Sequence, residues 1–345
     1  VESIQTAPDS DDGDLVDLIL HLADRIDAPR LILPATTDGF AFVAANRVPL
    51  ASRYAIPPIA SSDSLTLASD KWRLHQFAAE NGISVLRTYS LGERDLKKIV
   101  SGEAPARFPV LLKPKSLENG RGFRRVESPG ELLSFWEERG GGDALSNFIA
   151  QPFVDGYDVS YSAFCRGGRV KAHTTWKAEF YGDEAYAIPL CFRFEDDVRA
   201  NDLGETVLED LGWEGVCDID LFVDRRSGEV FLLEINARFW ASVIACSTAG
   251  VNCPLLMCLS ALGRQGDRWP AQIEGATYCY PKGIPRLLLN AQNRELLAQR
   301  KFFDTASDSV LRDPFPELFR FQEKVKRTLA GPVSRSRELL QKSGR

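Results

Sequence analysis

Several things this chain lacks narrow what it can do. Seven cysteines occur without a CxxC pair, and Cys253 and Cys258 have no histidine at zinc spacing. That excludes the usual small zinc modules, and an odd count reads as reduced thiols. Basic residues do not cluster, and 42 Lys and Arg stand against 48 Asp and Glu for a net charge of −6. A nucleic-acid partner is therefore not expected. No run reaches the ~20 apolar residues of a membrane span, and the first residues do not read as a secretory leader, so the expected location is cytoplasmic. No Ser/His or Cys/His constellation for nucleophilic catalysis stands out, and no glycine-rich loop ends in Gly-Lys-Ser/Thr. What is present is 345 residues, 44% of them hydrophobic, enough for a full core and two or three domains.

Residues 216–240, VCDIDLFVDRRSGEVFLLEINARFW, are the most informative stretch. Two apolar runs flank the turn-forming DRRSG, a hairpin by pattern. Alternation puts Asp218 and Asp220 on one face of their strand, and Glu234 and Asn236 on one face of theirs. Read alone, Asp220 is as readily a solvated strand acid. Read together, carboxylates and an amide oxygen inside apolar strands form a hard-oxygen set suited to Mg²⁺ beside phosphates. Asp218 is the weaker member, either facing solvent or orienting a neighbour. Arg238, two residues beyond Asn236, offers a guanidinium for a phosphoryl group.

These residues resemble the end of an ATP-grasp domain, in the group related to the carbamoyl-phosphate synthetase large subunit and D-alanine–D-alanine ligase. The run EINARFW is especially similar to the EINPRFWGS segment of carboxylate–amine ligase-like members. Ala237 replaces the common Pro and Ala241 the common Gly, and neither change removes a ligand. The resemblance implies two Mg²⁺ ions, with Mn²⁺ as a substitute, on Asp220, Glu234 and Asn236 against the ATP phosphates, with Arg238 on the transferred group.

Three upstream segments follow in the family's order. Residues 108–126, FPVLLKPKSLENGRGFRRV, read as a strand ending at Lys113, a polar loop with Gly120 and Gly122, and a second strand. Glycines let backbone N–H groups approach phosphate oxygens, although any hairpin with a glycine tip would read the same way. The resemblance places Lys113, Gly120 and Gly122 on the phosphates. Residues 148–160, FIAQPFVDGYDVS, read as strand, hinge and Gly-turn. By resemblance Gln151 accepts from the adenine amine, Val154 contacts the base through its backbone, and Asp158 takes the ribose hydroxyls. Residues 69–90 read as a helix capped by Ser69 or Asp70, with a stripe of Trp72, Phe77 and Ala78 and a stop at Asn81-Gly82. Lys71, otherwise an ordinary first-turn lysine, matches the family's phosphate-reaching lysine.

Between hinge and metal residues, His173, Lys177, Tyr181 and Arg193 fall on or between strands expected to line the cleft. Arg193 or Lys177 is the candidate grip for a substrate carboxylate or acyl phosphate, and Arg193 is grouped with the cofactor-binding residues. His173 reads more naturally as a structural histidine. The loop AEFYGDEAYAIPL is either an active-site cap or plain surface.

The expected class is α/β (α+β): an ATP-grasp fold behind a truncated, Rossmann-like pre-ATP-grasp domain. The expected divisions are residues 1–66 (pre-ATP-grasp), 67–150 (Lys strand and phosphate loop), 151–265 (Mg site) and 266–345 (a C-terminal extension). The start is acidic and opens on a helix (15–26), a strand (RLILPA) and a second helix (40–53), about one strand–helix–strand short of the family's first domain. After Trp240 come two helices broken at residues 250–254, then a short strand region, a proline-delimited helix with an aromatic cluster (Phe302, Phe303, Phe315, Phe319, Phe321) and a basic tail.

The activity this implies is ATP-dependent ligation of a small carboxylic acid to an amine through an acyl phosphate, yielding an amide, ADP and phosphate. Two alternatives stand beside it: carboxyphosphate or carbamoyl chemistry, and a degenerate nucleotide-binding subunit. Expected partners are the small-molecule acid and amine, with neither nucleic acid nor membrane, and a homodimer is the assembly considered.

Overall fold

The computed structural model describes residues 12–25, 27–116, 122–181 and 189–280. Gly120, most of the loop at 178–190, the acidic start, the C-terminal aromatic cluster and the tail lie outside these residues. The chain divides into two compact units, residues 1–277 and 278–345, and the first carries every candidate site residue.

Three short helices open it: α1 (Asp12–Ala23), α2 (Thr37–Ala45) and α3 (Arg47–Ala51). The expected strand RLILPA contributes a single parallel bridge, Leu31 to Ala55. After α4 (Ser62–Ser69), helix α5 (Lys71–Glu80) begins where the Asp70 side chain accepts from the Trp72 and Arg73 amides, a strong N-cap. It stops before Gly82, whose φ of 71° suits a residue without Cβ. Its buried face is Lys71, Leu74, His75 and Ala78; of the expected stripe Ala78 lies on it, while Trp72 and Phe77 are half-buried. Two polar side chains occupy core-facing positions, so apolar periodicity points to the wrong side.

A four-stranded sheet follows, from β1 (Tyr89–Ser90), β2 (Val110–Pro114), β3 (Arg124–Val126) and β4 (Phe148–Pro152), in the order β1-β4-β2-β3. Helices α6 (Glu93–Ser101) and α7 (Pro129–Glu138) cover one face. Val110, Leu112 and Ala150 of the strands pack there with Leu96, Ile99, Leu132 and Phe135 of the helices. Direct partners in an antiparallel pair share a face. The pairs Leu111–Gln151 and Lys113–Ile149 therefore put Lys113 and Gln151 together on the face opposite that core.

The second sheet carries β5 (Gly156–Cys165), β6 (Val170–Tyr181), β7 (Pro189–Phe194), β8 (Gly215–Asp224) and β9 (Val230–Asn236), in the order β7-β6-β5-β8-β9. All neighbours in it are antiparallel. Helix α8 (Val198–Asp210) lies on one face, where Gly204 meets the Tyr161 ring so closely that a Cβ would sit 2.4 Å from it. Helix α9 (Val243–Thr248) lies on the other face, where its Cys246 meets Ser162 and Thr174, and α10 (Cys253–Ala261) follows it. Strand β10 (Thr277–Cys279) stands at the boundary between the two units.

The cysteines need a correction. Cys165, Cys217, Cys246, Cys253 and Cys258 are free thiols, but Cys191 and Cys279 are disulfide-bonded. Spacing along the chain carries no sign of that bonding.

Candidate active site

The second sheet lays its acids out in rows. Ser162 of β5 pairs with Asp218 of β8, which pairs with Asn236 of β9; one step along, Ser160, Asp220 and Glu234 align in the same way. All six side chains share the face that α9 covers only in part. Beyond Asp220 the register shifts, so that Leu221 pairs with Leu232 and Leu233 is the extra residue of a β-bulge. The bulge frees the Leu233 carbonyl, which accepts from His75 Nε2 at 2.9 Å. Helix α5 is thereby anchored to β9, and Lys71, one turn before His75, reaches Glu234 Oε2 at 2.6 Å. The Lys71 amide also donates to the Lys115 carbonyl at 3.0 Å, joining the helix start to the end of β2. Residues far apart in the chain thus meet: Lys71, Lys113, Asp220 and Glu234.

Charge in this cluster is strongly coupled. Burial and then the neighbouring Glu234 and Asp218 push the Asp220 carboxyl well above the ordinary range. Burial alone would raise Glu234 too, but Lys71, a hydrogen bond from Asp220 and Lys113 hold it below its usual value. Side by side, the two carboxyls are thus shifted in opposite directions, Asp220 upward and Glu234 downward. Burial pulls the Lys113 ammonium down to about 8, with Glu234 working against burial and Lys71 with it. Asp218 is 5% exposed and accepts from both Ser160 Oγ and Ser162 Oγ at 2.6 Å. Burial raises it to about 6, while the two hydroxyls and Arg238 oppose that rise. It does not face solvent: it sits among Ser160, Ser162 and the positive charge of Arg238.

Arg238 donates to the Phe239 carbonyl at 3.0 Å and to Asn236 Oδ1 at 3.3 Å, and Asn236 Nδ2 donates to Asp220 Oδ2 at 3.3 Å. The guanidinium is thus held beside the acids. Asp158, at the exposed edge of the same face, accepts from the Tyr181 hydroxyl at 3.1 Å. Desolvation raises its carboxyl, with the Tyr181 hydrogen bond and Lys113 acting the other way. Gln151 is 1% exposed and donates through Nε2 to Thr88 Oγ1 at 2.9 Å. Lys113 Nζ lies 5.3 Å from the centre of the Phe123 ring. Gly122 takes a φ of 75° at the end of the loop between β2 and β3, and Val154 lies in the connection between β4 and β5.

Arg193 is not brought to this group. It pairs with Lys177 across β7 and β6, and Lys177 pairs with Val159 of β5. Val159 is an odd-numbered neighbour of Ser160, so both cations lie on the opposite face, the one carrying α8. There Arg193 binds Glu179 at 2.8 Å and Glu195 at 3.5 Å, and Lys177 pairs with Glu195. His173 stacks on Tyr161 at 5.1 Å on that same side. Placing Arg193 in the cleft required knowing the sheet partners, which its own strand does not disclose. Reading the sequence also passed over Ser160, Ser162, His75 and Thr88. The serines share Asp158's parity in YDVSYS, and His75 lies four residues after Lys71, so spacing alone could have marked both.

Among the described residues, no group of three or more His, Cys, Asp or Glu side chains is arranged to hold a metal ion. Two carboxylates beside an amide form a smaller, hard-oxygen donor set, of the kind that leaves most of a cation's coordination to substrate oxygens. No helix among the described residues is long and apolar enough to cross a membrane.

No protein-family model matches the chain. In sequence it is 28% identical over 183 residues to D-alanine–D-alanine ligase B of Chromobacterium violaceum, a match covering 49% of this chain and 57% of that one. It is 22% identical over 206 residues to the carbamoyl-phosphate synthase of Methanobrevibacter smithii, covering 57% and 53%. The chain thus spans a little over half the length of these relatives. Among solved structures it is similar to N5-carboxyaminoimidazole synthetase from Staphylococcus aureus complexed with ADP, with a TM-score of 0.61, 15% identity, and 84% and 74% of the two chains covered. An L-amino acid ligase from Bacillus licheniformis aligns with a TM-score of 0.54 and 14% identity, over 77% and 65%. These likenesses show an ATP-grasp fold, mixed in helix and sheet with antiparallel sheets.

Proposed function

We propose that this ATP-grasp chain is an ATP-dependent carboxylate–amine ligase. The observation that carries the reading is the meeting of Lys71 and Glu234 at 2.6 Å, with Lys113, Asp220 and Arg238 around them. Cations and acids from both sheets surround one place, as a polyphosphate with its counter-cation requires. In this reading residues 67–150 and 151–265 are the two halves that hold the nucleotide.

Lys71, Lys113 and the backbone at Gly122 bind the phosphates, while Gln151, Val154 and Asp158 take the adenosine. Asp220, Glu234 and Asn236 fit Mg²⁺: their donors are hard oxygens, and a dication would offset the repulsion from Glu234 that helps raise Asp220. When bound, Mg²⁺ supplies charge neutralisation at the phosphate oxygens. We propose two such ions, with Mn²⁺ able to replace them.

A carboxylate oxygen of the acid attacks the γ-phosphorus, and the bond to the β–γ bridging oxygen breaks, releasing ADP. Arg238 steadies the transferred group, and burial near the acids keeps water from it. The amine then attacks the acyl carbon, phosphate leaves, and the nitrogen gives up a proton. Positioning and charge account for the catalysis, so no protein nucleophile is needed. ATP dependence supports a cytoplasmic setting, and disulfide-bonded Cys191 and Cys279 weigh against it.

The test is a screen of amino acids and small carboxylates for phosphate release from Mg·ATP, with product masses measured. Release that needs both an acid and an amine, and a product equal to their sum less water, is expected. Release stimulated by bicarbonate alone would transfer the chain to carboxyphosphate chemistry. Nucleotide binding without turnover on any acid would make it a degenerate subunit.

A further inference from the structure

Gln151 is buried at 1% exposure, yet its Oε1 has no hydrogen-bond partner, whereas its Nε2 donates to Thr88 Oγ1 at 2.9 Å. A buried amide with one end tied and the other bare is costly unless something else meets the bare end. Which end is bare is decided by a chain of hydrogen bonds with a fixed direction.

The chain starts at the Leu233 carbonyl exposed by the bulge in β9. A carbonyl only accepts, so His75 Nε2, 2.9 Å away, must carry the ring proton. Burial holds His75 down to about 4, with Lys113 and Lys71 acting in the same direction while the Leu233 bond and Glu234 oppose. The ring is therefore neutral at pH 7, and Nδ1 is a bare acceptor. Thr88 Oγ1 lies 3.1 Å from Nδ1 and 2.8 Å from the Leu86 carbonyl. Both neighbours want its proton, so the hydroxyl turns lone pairs towards Gln151. The Gln151 amide nitrogen also lies 3.3 and 3.4 Å from the two ring nitrogens of His75, against the ring rather than in line with either nitrogen. A flipped amide would set Oε1 against a hydroxyl oxygen whose proton is already taken and against the bare Nδ1.

We infer that His75 and Thr88 are positioning residues for nucleotide selection: they lock the Gln151 amide with Nε2 against Thr88 and Oε1 turned away from it, buried and without a partner in the protein. Oε1 is then an acceptor on the Lys113 face of the sheet, suited to the exocyclic amine of a 6-aminopurine nucleotide and repelled by the carbonyl of a 6-oxopurine one. The inference rests on the proposed ATP site and deepens it. It also ties selection of the base to helix α5, which carries Lys71.

The test is direct calorimetric titration of the full chain with Mg·ATP and with Mg·GTP, which needs no turnover. Wild type should prefer ATP. Thr88→Val keeps the shape but removes the hydroxyl, freeing the amide to flip, and the ATP-to-GTP affinity ratio should fall about tenfold. Thr88→Ser should restore the wild-type ratio. His75→Phe, which fills the ring's place without its nitrogens, should lower the ratio as Thr88→Val does. Equal weakening of both nucleotides in Thr88→Val and His75→Phe, leaving the ratio unchanged, would overturn the inference alone. A Thr88→Ser protein as unselective as Thr88→Val would also overturn it. A wild type that selects ATP but joins no acid to an amine would sink the ligase reading and leave the lock standing. A wild type that binds neither nucleotide would sink both.

Discussion

Glu234 is the side chain on which the charge of the cleft turns. It accepts from Lys71 at 2.6 Å and lies beside Asp220, whose carboxyl it helps to push upward. Lys113, drawn down to about 8 by burial, depends on Glu234 more than on any other charge to stay protonated. Glu234→Gln keeps an oxygen for Lys71 and the shape of the strand, but removes the charge that a cation needs. Phosphate release should fall by at least ~10²-fold, since loss of groups merely supporting a metal ligand already costs 10–100-fold. Thermal unfolding should show an intact fold. Release near the wild-type rate at ordinary Mg²⁺ levels would remove Glu234 from the site. The alternation of FLLEIN made this acid legible in the sequence, because a lone carboxylate inside an apolar strand calls for a cation. Asp218 was legible only as an acid: its hydrogen-bond donors Ser160 and Ser162 lie on a neighbouring strand, and register across strands is not written in either one.

Elements place these residues, and some elements were easier to read than others. The hairpin of β8 and β9, the strand at Lys113 and the strand at Gln151 follow from alternation and turn chemistry. Helix α5 was readable in extent from Asp70 to Gly82 but not in orientation, because Lys71 and His75 occupy its buried face. Arg193 illustrates the same gap in a strand: its parity is clear, but which face holds the acids emerges only through β6, β5 and β8 in turn. The α8 side of that sheet is packed and should be insensitive to chemistry at the acids. Gly204→Ala places a Cβ 2.4 Å from the Tyr161 ring, an overpacking expected to cost ~1–3 kcal/mol. Denaturant unfolding should show that loss, while affinity for Mg·ATP in the remaining folded protein stays as in wild type. A variant as stable as wild type would mean that α8 does not press on Tyr161.

At the scale of the described fold, two antiparallel sheets both contribute residues to the proposed site. The first contributes Lys113 and Gln151, the second contributes the acids, and α5 fastens them together through Lys71 and His75. The resemblance seen in four short motifs extends, in three dimensions, to 84% of the chain against a synthetase of 15% identity. Packing retains such an arrangement while sequence drifts. The proposed ligase chemistry requires that phosphate be carried away on an oxygen of the acid. With the acid and amine identified, the acid is prepared with ¹⁸O in its carboxylate and the released phosphate is weighed by mass spectrometry. An acyl phosphate intermediate predicts one ¹⁸O atom in each phosphate formed. Phosphate free of the label, released while amide accumulates, would contradict the account at its centre.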